Sequence, residues 1–108
     1  MTYAQRLKDP RWQKKRLELL NKAHWTCEEC KAVEPADGLQ IHHVFYMLGK
    51  LPWEHDDRIM MALCDGCHKR RQKVEQKFFY GVACVLRWKT ADEIATFPAT
   101  WFFKLPDN

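Results

Sequence analysis

The sequence predicts a small α+β fold on three observations: two widely separated Cys-x-x-Cys pairs, a β-rich segment between them, and helical patterning on either side. At 108 residues the chain has the length of one domain, large enough for a modest core and small enough that a metal staple would help it fold. Hydrophobic residues make up 46% and charged residues 30%, a balance that excludes a low-complexity or disordered chain.

The first element is a helix. Asp9-Pro10 has the form of an N-cap followed by proline at the first helical position, opening a helix through about Ala23 with Trp12, Leu17, Leu19 and Leu20 as its apolar contacts. After the turn-forming Asp37-Gly38, the run from Leu39 to Tyr46 is rich in β-branched and aromatic residues and reads as a strand. Gly49, Pro52 and Glu54-His55-Asp56-Asp57 read as a loop, and Ile59 to Leu63 as a short apolar run into the second cysteine pair. From Asp65 onward Val74, Phe78, Val82, Val85 and Leu86 recur at helical spacing, so a long helix follows, with Gly81 as its weak point. Thr90 with Glu93 forms a capping box that starts one more short helix before Pro98.

Cys27, Cys30, Cys64 and Cys67 make two Cys-x-x-Cys knuckles separated by 33 residues. Each knuckle can set two thiolates on adjacent corners of a tetrahedron, and four thiolates in this pattern point to one structural zinc ion. Gly66 inside the second pair suits a tight turn. Disulfides are disfavoured in a chain without a secretory signal, and Cys84, outside both pairs on an apolar helix, reads as a buried small hydrophobe. A closed four-thiolate site does not activate water, so any catalysis belongs elsewhere in the chain.

The net charge of +4 is unevenly spread. Residues 1–31 carry eight Lys/Arg against four Asp/Glu, residues 32–67 carry two against six, and residues 68–77 carry five against one. Two basic segments flanking an acidic one can frame an anionic polymer such as DNA, and can equally be solvated helix faces. No apolar run approaches the ~18 residues of a membrane span, and the run from Met1 to Lys8 lacks a signal-peptide core. The sequence therefore predicts a cytoplasmic protein with no membrane partner.

His42-His43 on a strand, then a loop, then Leu63-Cys64-Asp65-Gly66-Cys67-His68 opening a helix, resembles the HNH endonuclease family of the small bacterial and phage type. The resemblance covers roughly residues 3–72 and includes Tyr3 to Arg16, similar to the family's lead-in helix, and Tyr46 with Pro52-Trp53-Glu54. It implies a zinc-stabilised ββα-metal domain over residues 1–77 with flanking helices; residues 78–108 lie outside the resemblance and read, from their aromatic content, as a helical extension that packs on that domain or docks a partner. The resemblance implies a DNA endonuclease in a bacterial or phage-infected cell, with His43 as general base. His42 and His68 would hold one catalytic cation, Mg²⁺, Mn²⁺ or Ni²⁺. Arg58, Lys69, Arg70, Arg71 and Lys73 would contact phosphate, with low sequence specificity.

Two positions depart from the family pattern. Ile59 stands where the family carries its middle Asn, and Gln72 where some members carry a further His. The alternative is a catalytically weak or inactive HNH-like zinc module that binds nucleic acid or a protein partner. Phe78, Phe79, Tyr80, Trp88, Phe97, Trp101, Phe102 and Phe103 would either complete the core or serve a partner or a second copy of the chain.

Overall fold

The computed structural model of the protein describes residues 1–96. Helix α1, Tyr3–Lys8, opens on a capping box: the Thr2 hydroxyl accepts from the Gln5 N–H, and the Gln5 side chain accepts from the Thr2 N–H. Asp9 is extended because a residue before proline is kept out of helical backbone. The stretch from Tyr3 to Arg16 is therefore two helices, not one. Asp9 itself caps α2, Pro10–Lys22, by accepting from the Arg11 N–H at 2.8 Å. Trp12, Leu19 and Leu20 are buried. Leu17, expected beside them, is exposed, because at about 100° per residue it lies roughly 140° around the helix from Trp12.

Strands β1, Leu39–His43, and β2, Met60–Cys64, pair antiparallel without a bulge, from Leu39 opposite Cys64 to His43 opposite Met60. The apolar run before the second knuckle is thus a strand, and β1 stops three residues short of Tyr46. The reason lies in the partner: Val44 makes one last bond to the Ile59 carbonyl, at 2.8 Å, and Ile59 already belongs to a 3₁₀ turn over Asp57–Ile59. A second such turn, Pro52–Glu54, organises the rest of the connecting loop. Two apolar clusters hold the sheet to α2. One is Leu20, Cys27, Leu39, Ala62 and Leu63, the other Trp12, Leu19 and Met60, and Ile41 packs against both.

Helix α3, Asp65–Leu86, runs through Gly81 without a break, and α4, Ala91–Ala95, starts on the predicted Thr90–Glu93 capping box. The described fold is small and α+β, with two antiparallel strands and four α-helices. The chain divides into two compact units, Met1–Lys73 and Val74–Asn108. Within the second, Val74, Phe78, Val82, Val85 and Leu86 are all exposed, as are Phe79, Tyr80 and Trp88. Their spacing is helical, but it marks no buried face among the described residues. Cys84 is exposed too, contrary to its reading as a core residue. Phe97, Pro98, Trp101, Phe102 and Phe103 lie outside the described residues. Among those described, no helix is long and apolar enough to cross a membrane.

Candidate metal centre and histidine pair

The first knuckle forms where α2 ends. His24 and Trp25, both at positive φ, turn the chain back, and Thr26 and Val33 form an isolated antiparallel bridge. Inside that loop the Cys27 N–H donates to Ala32 O at 2.9 Å and the Lys31 N–H to Cys27 O at 3.0 Å. Lys31 takes φ 67° to close the turn. Glu28 then fastens the knuckle to β2: its N–H donates to Ala62 O at 2.9 Å, and its carboxylate accepts from the Ala62 N–H at 2.5 Å. Two residues further along β2, Cys64 ends the strand, and Cys67 sits in the first turn of α3.

The sulfurs of Cys27, Cys30, Cys64 and Cys67 all lie within 4.8 Å of one another, with Cys30 and Cys64 at 3.8 Å. A zinc ion with bonds of about 2.3 Å sets tetrahedral sulfur–sulfur edges of roughly 3.8 Å. All four cysteines are thiols, so the donor set and its size fit a metal ion such as zinc. Gly66 has a different part from the one expected. It is helical, not at positive φ, and a Cβ there would meet nothing within 4 Å.

The thiols ionise unequally. Burial pushes Cys27 up, but hydrogen bonds from the backbones of Cys64, Cys30 and Glu29 together outweigh it and bring the thiol down to about 6. Cys67 is pushed up to about 12, chiefly by its hydrogen bond with Cys64 and then by burial. Four thiolates cannot share this volume unaided, and a divalent cation removes the obstacle.

The sheet separates the histidines. Along β1 alternate residues face opposite sides, and Gln40 and His42 lie on the side met by the start of α3. The Gln40 amide donates to Asp65 Oδ1 at 3.1 Å, and the His42 ring meets His68 edge to face with centroids 5.1 Å apart. His43 faces the other way. It stacks on Tyr46 at 4.3 Å, lies 5.3 Å from Trp12 and 5.0 Å from His55, and bonds through Nε2 to Pro52 O at 3.0 Å. A carbonyl only accepts, so Nε2 carries the proton and Nδ1 is the basic nitrogen. Burial, partly offset by the Pro52 carbonyl, holds His43 below the ordinary histidine pKa.

The cationic side chains are mostly engaged. Arg58 grips Asp56 with two bonds, at 3.0 and 2.9 Å, and lowers that carboxyl to about 2. Lys69 pairs with Asp65 at 3.0 Å and Arg71 with Glu29 at 2.9 Å, while Arg70 and Lys73 are exposed. Exposed pairs of this kind are screened by water and contribute little to stability. Ile59 packs, partly buried, against the Trp12 cluster.

Two residues that matter escaped the sequence reading. Glu28 has no pattern to betray it. His55 reads only as part of an acidic stretch in a loop, yet it is 2% exposed; the one hint is Trp53 nearby, an aromatic that marks a loop as packed. Compared with known proteins, the chain matches no family model, no curated protein and no solved structure.

Proposed function

We propose that the protein is an HNH-type endonuclease, hydrolysing DNA phosphodiester bonds with one divalent cation and a histidine base on a zinc-stapled ββα-metal scaffold. The observation that carries this reading is the His42–His68 pair, centroids 5.1 Å apart, formed between β1 and the first turn of α3, with His43 next in the strand. Imidazole nitrogens bound to one ion at 2.0–2.2 Å lie about 3–4 Å apart, a separation these rings allow. Among the described residues no third His, Cys, Asp or Glu forms a metal cluster with them, so water and phosphate oxygens would complete the shell.

When bound, Mg²⁺, Mn²⁺ or Ni²⁺ supplies stabilisation of the charge that develops on the phosphoryl and leaving oxygens. The chain's own part is to bind and to move a proton. His43 Nδ1 takes a proton from water, the water oxygen bonds to phosphorus, and the departing ester oxygen is protonated from solvent. His43 faces away from His42 and His68, so the reading requires the phosphate to sit at the end of β1, within reach of both sides of the strand. Arg70 and Lys73, with Lys69 and Arg71, would hold neighbouring phosphates, giving low sequence specificity and strong salt dependence.

A second reading, a zinc module that binds nucleic acid or a protein partner without cutting, is favoured by Ile59 packed against the core and Arg58 held by Asp56. Plasmid nicking with each of the three cations, in parallel with a His43→Ala control, separates the two. Cutting that His43→Ala abolishes supports the nuclease. A salt-dependent gel shift with no cutting in any metal supports the module.

A further inference from the structure

We propose that His55 is a positioning residue for His43, acting through the loop between them. The ring of His55 uses both nitrogens on that loop: Nδ1–H donates to Leu51 O at 3.0 Å, and Nε2 accepts from the Met47 N–H at 3.0 Å. A ring with one donor and one acceptor, both engaged with backbone, cannot turn without breaking a buried bond. His55 therefore pins residue 47 and residue 51 to each other.

The two residues just outside those pins hold His43. Pro52, next to Leu51, gives the carbonyl that accepts from His43 Nε2 at 3.0 Å. Tyr46, next to Met47, stacks on the His43 ring at 4.3 Å with 22° between planes, and its hydroxyl meets that of Tyr3 at 3.4 Å. His55 itself closes the cluster edge-on, 5.0 Å from His43 and 5.2 Å from Tyr46. The segment His43–His55 thus folds back so that its last residue fixes the two groups that set the tautomer and angle of its first. A loop carbonyl sets the tautomer, and His55 holds the carbonyl.

The functional consequence rests on the reading of His43 as a base, but the positioning can be tested without any cutting. In ¹⁵N-labelled, zinc-loaded protein, His43 Nε2–H should appear as a slowly exchanging ring proton. His55→Phe keeps the ring volume and removes both bonds. With zinc content and circular dichroism unchanged, it should speed exchange of that proton about ten-fold or more, the equivalent of one lost hydrogen bond. His55→Gln, which retains a donor and an acceptor, should restore most of the protection. Should His55→Phe fail to fold, His55→Leu takes its place, with undiminished protection in that variant overturning the inference. Equal protection in all three proteins, or no protected ring proton in the parent, also overturns it. If the parent cuts DNA, His55→Phe should lower kcat about 10- to 100-fold with KM little changed. Protection that depends on His55 in a protein that never cuts would leave the positioning intact and sink the nuclease reading alone.

Discussion

Glu28 and Ala62 are bonded twice, once by backbone and once by carboxylate, across 34 positions of sequence. The bond pair makes the first knuckle an extension of β2, so the geometry of Cys27 and Cys30 is set by the strand that ends in Cys64. Glu28→Ala should leave the buried Ala62 N–H without its partner and destabilise the zinc-loaded protein by about 1–3 kcal/mol. Glu28→Gln keeps an acceptor and should recover most of this. Urea unfolding of the three proteins checks it.

Cys64→Ser, or a chelator, should unfold the unit Met1–Lys73, because the binding energy of a structural zinc, about 10–16 kcal/mol in small zinc peptides, is largely folding energy. Circular dichroism during titration with a chelator measures this. Helical signal that persists in full with the metal removed would refute the staple.

His43 gives a pH dependence of fixed sign. Its folded pKa lies below the ordinary 6.5 because burial disfavours the charged ring. The neutral base is therefore retained at neutral pH, and cutting should rise with pH through an inflection below 6.5. Stability follows the same direction: between 6.5 and the lower folded value the unfolded chain binds the extra proton, so stability falls as pH drops through that window. Rate and unfolding profiles from pH 5 to 8 at saturating zinc would reveal an inflection above 6.5 if the burial argument is wrong.

Ile59→Asn would install the side chain that the HNH resemblance leads one to expect, but Ile59 packs against the cluster of Trp12, Leu19 and Met60. An amide there gives up apolar contact, so the substitution should cost about 1–3 kcal/mol and bring no gain in cutting. Ile59→Val should cost less. Thermal unfolding beside the nicking assay distinguishes this from a true repair of the site, which would raise the rate.

Gly81→Ala should stabilise the protein by up to about 1 kcal/mol, since the residue is exposed in mid-helix and a Cβ would meet nothing within 4 Å. A shift of the unfolding midpoint to lower denaturant would contradict it.

What the sequence made legible was local chemistry. The knuckles, the Asp9-Pro10 start and the Thr90–Glu93 box each depend on a few neighbouring residues whose geometry their chemistry nearly fixes. What it concealed depended on partners. Leu39 to Tyr46 has uniform strand character, and only the 3₁₀ turn at Ile59 explains why pairing stops at His43. The face of α3 with Phe78 and Val85 has the spacing of a buried stripe, yet spacing does not say whether anything lies opposite. His55 could not be told from its acidic neighbours, because both its bonds are to backbone atoms that carry no sequence signal.

All four sulfurs ride on one strand: Cys64 ends β2, Cys67 follows it, and Cys27 and Cys30 hang on β2 through the bonds of Glu28 to Ala62. β1 carries no sulfur, so its alignment is left to its own side chains. A slip of one residue costs little in backbone bonds but turns every side chain to the opposite face, and here it would take Leu39 and His43 out of the packing against α2 and expose Gln40 and His42 to it. The domain thus divides its labour: a metal clasp closes β2 on its own knuckle, and the apolar side of β1 acts as the key that admits only one alignment.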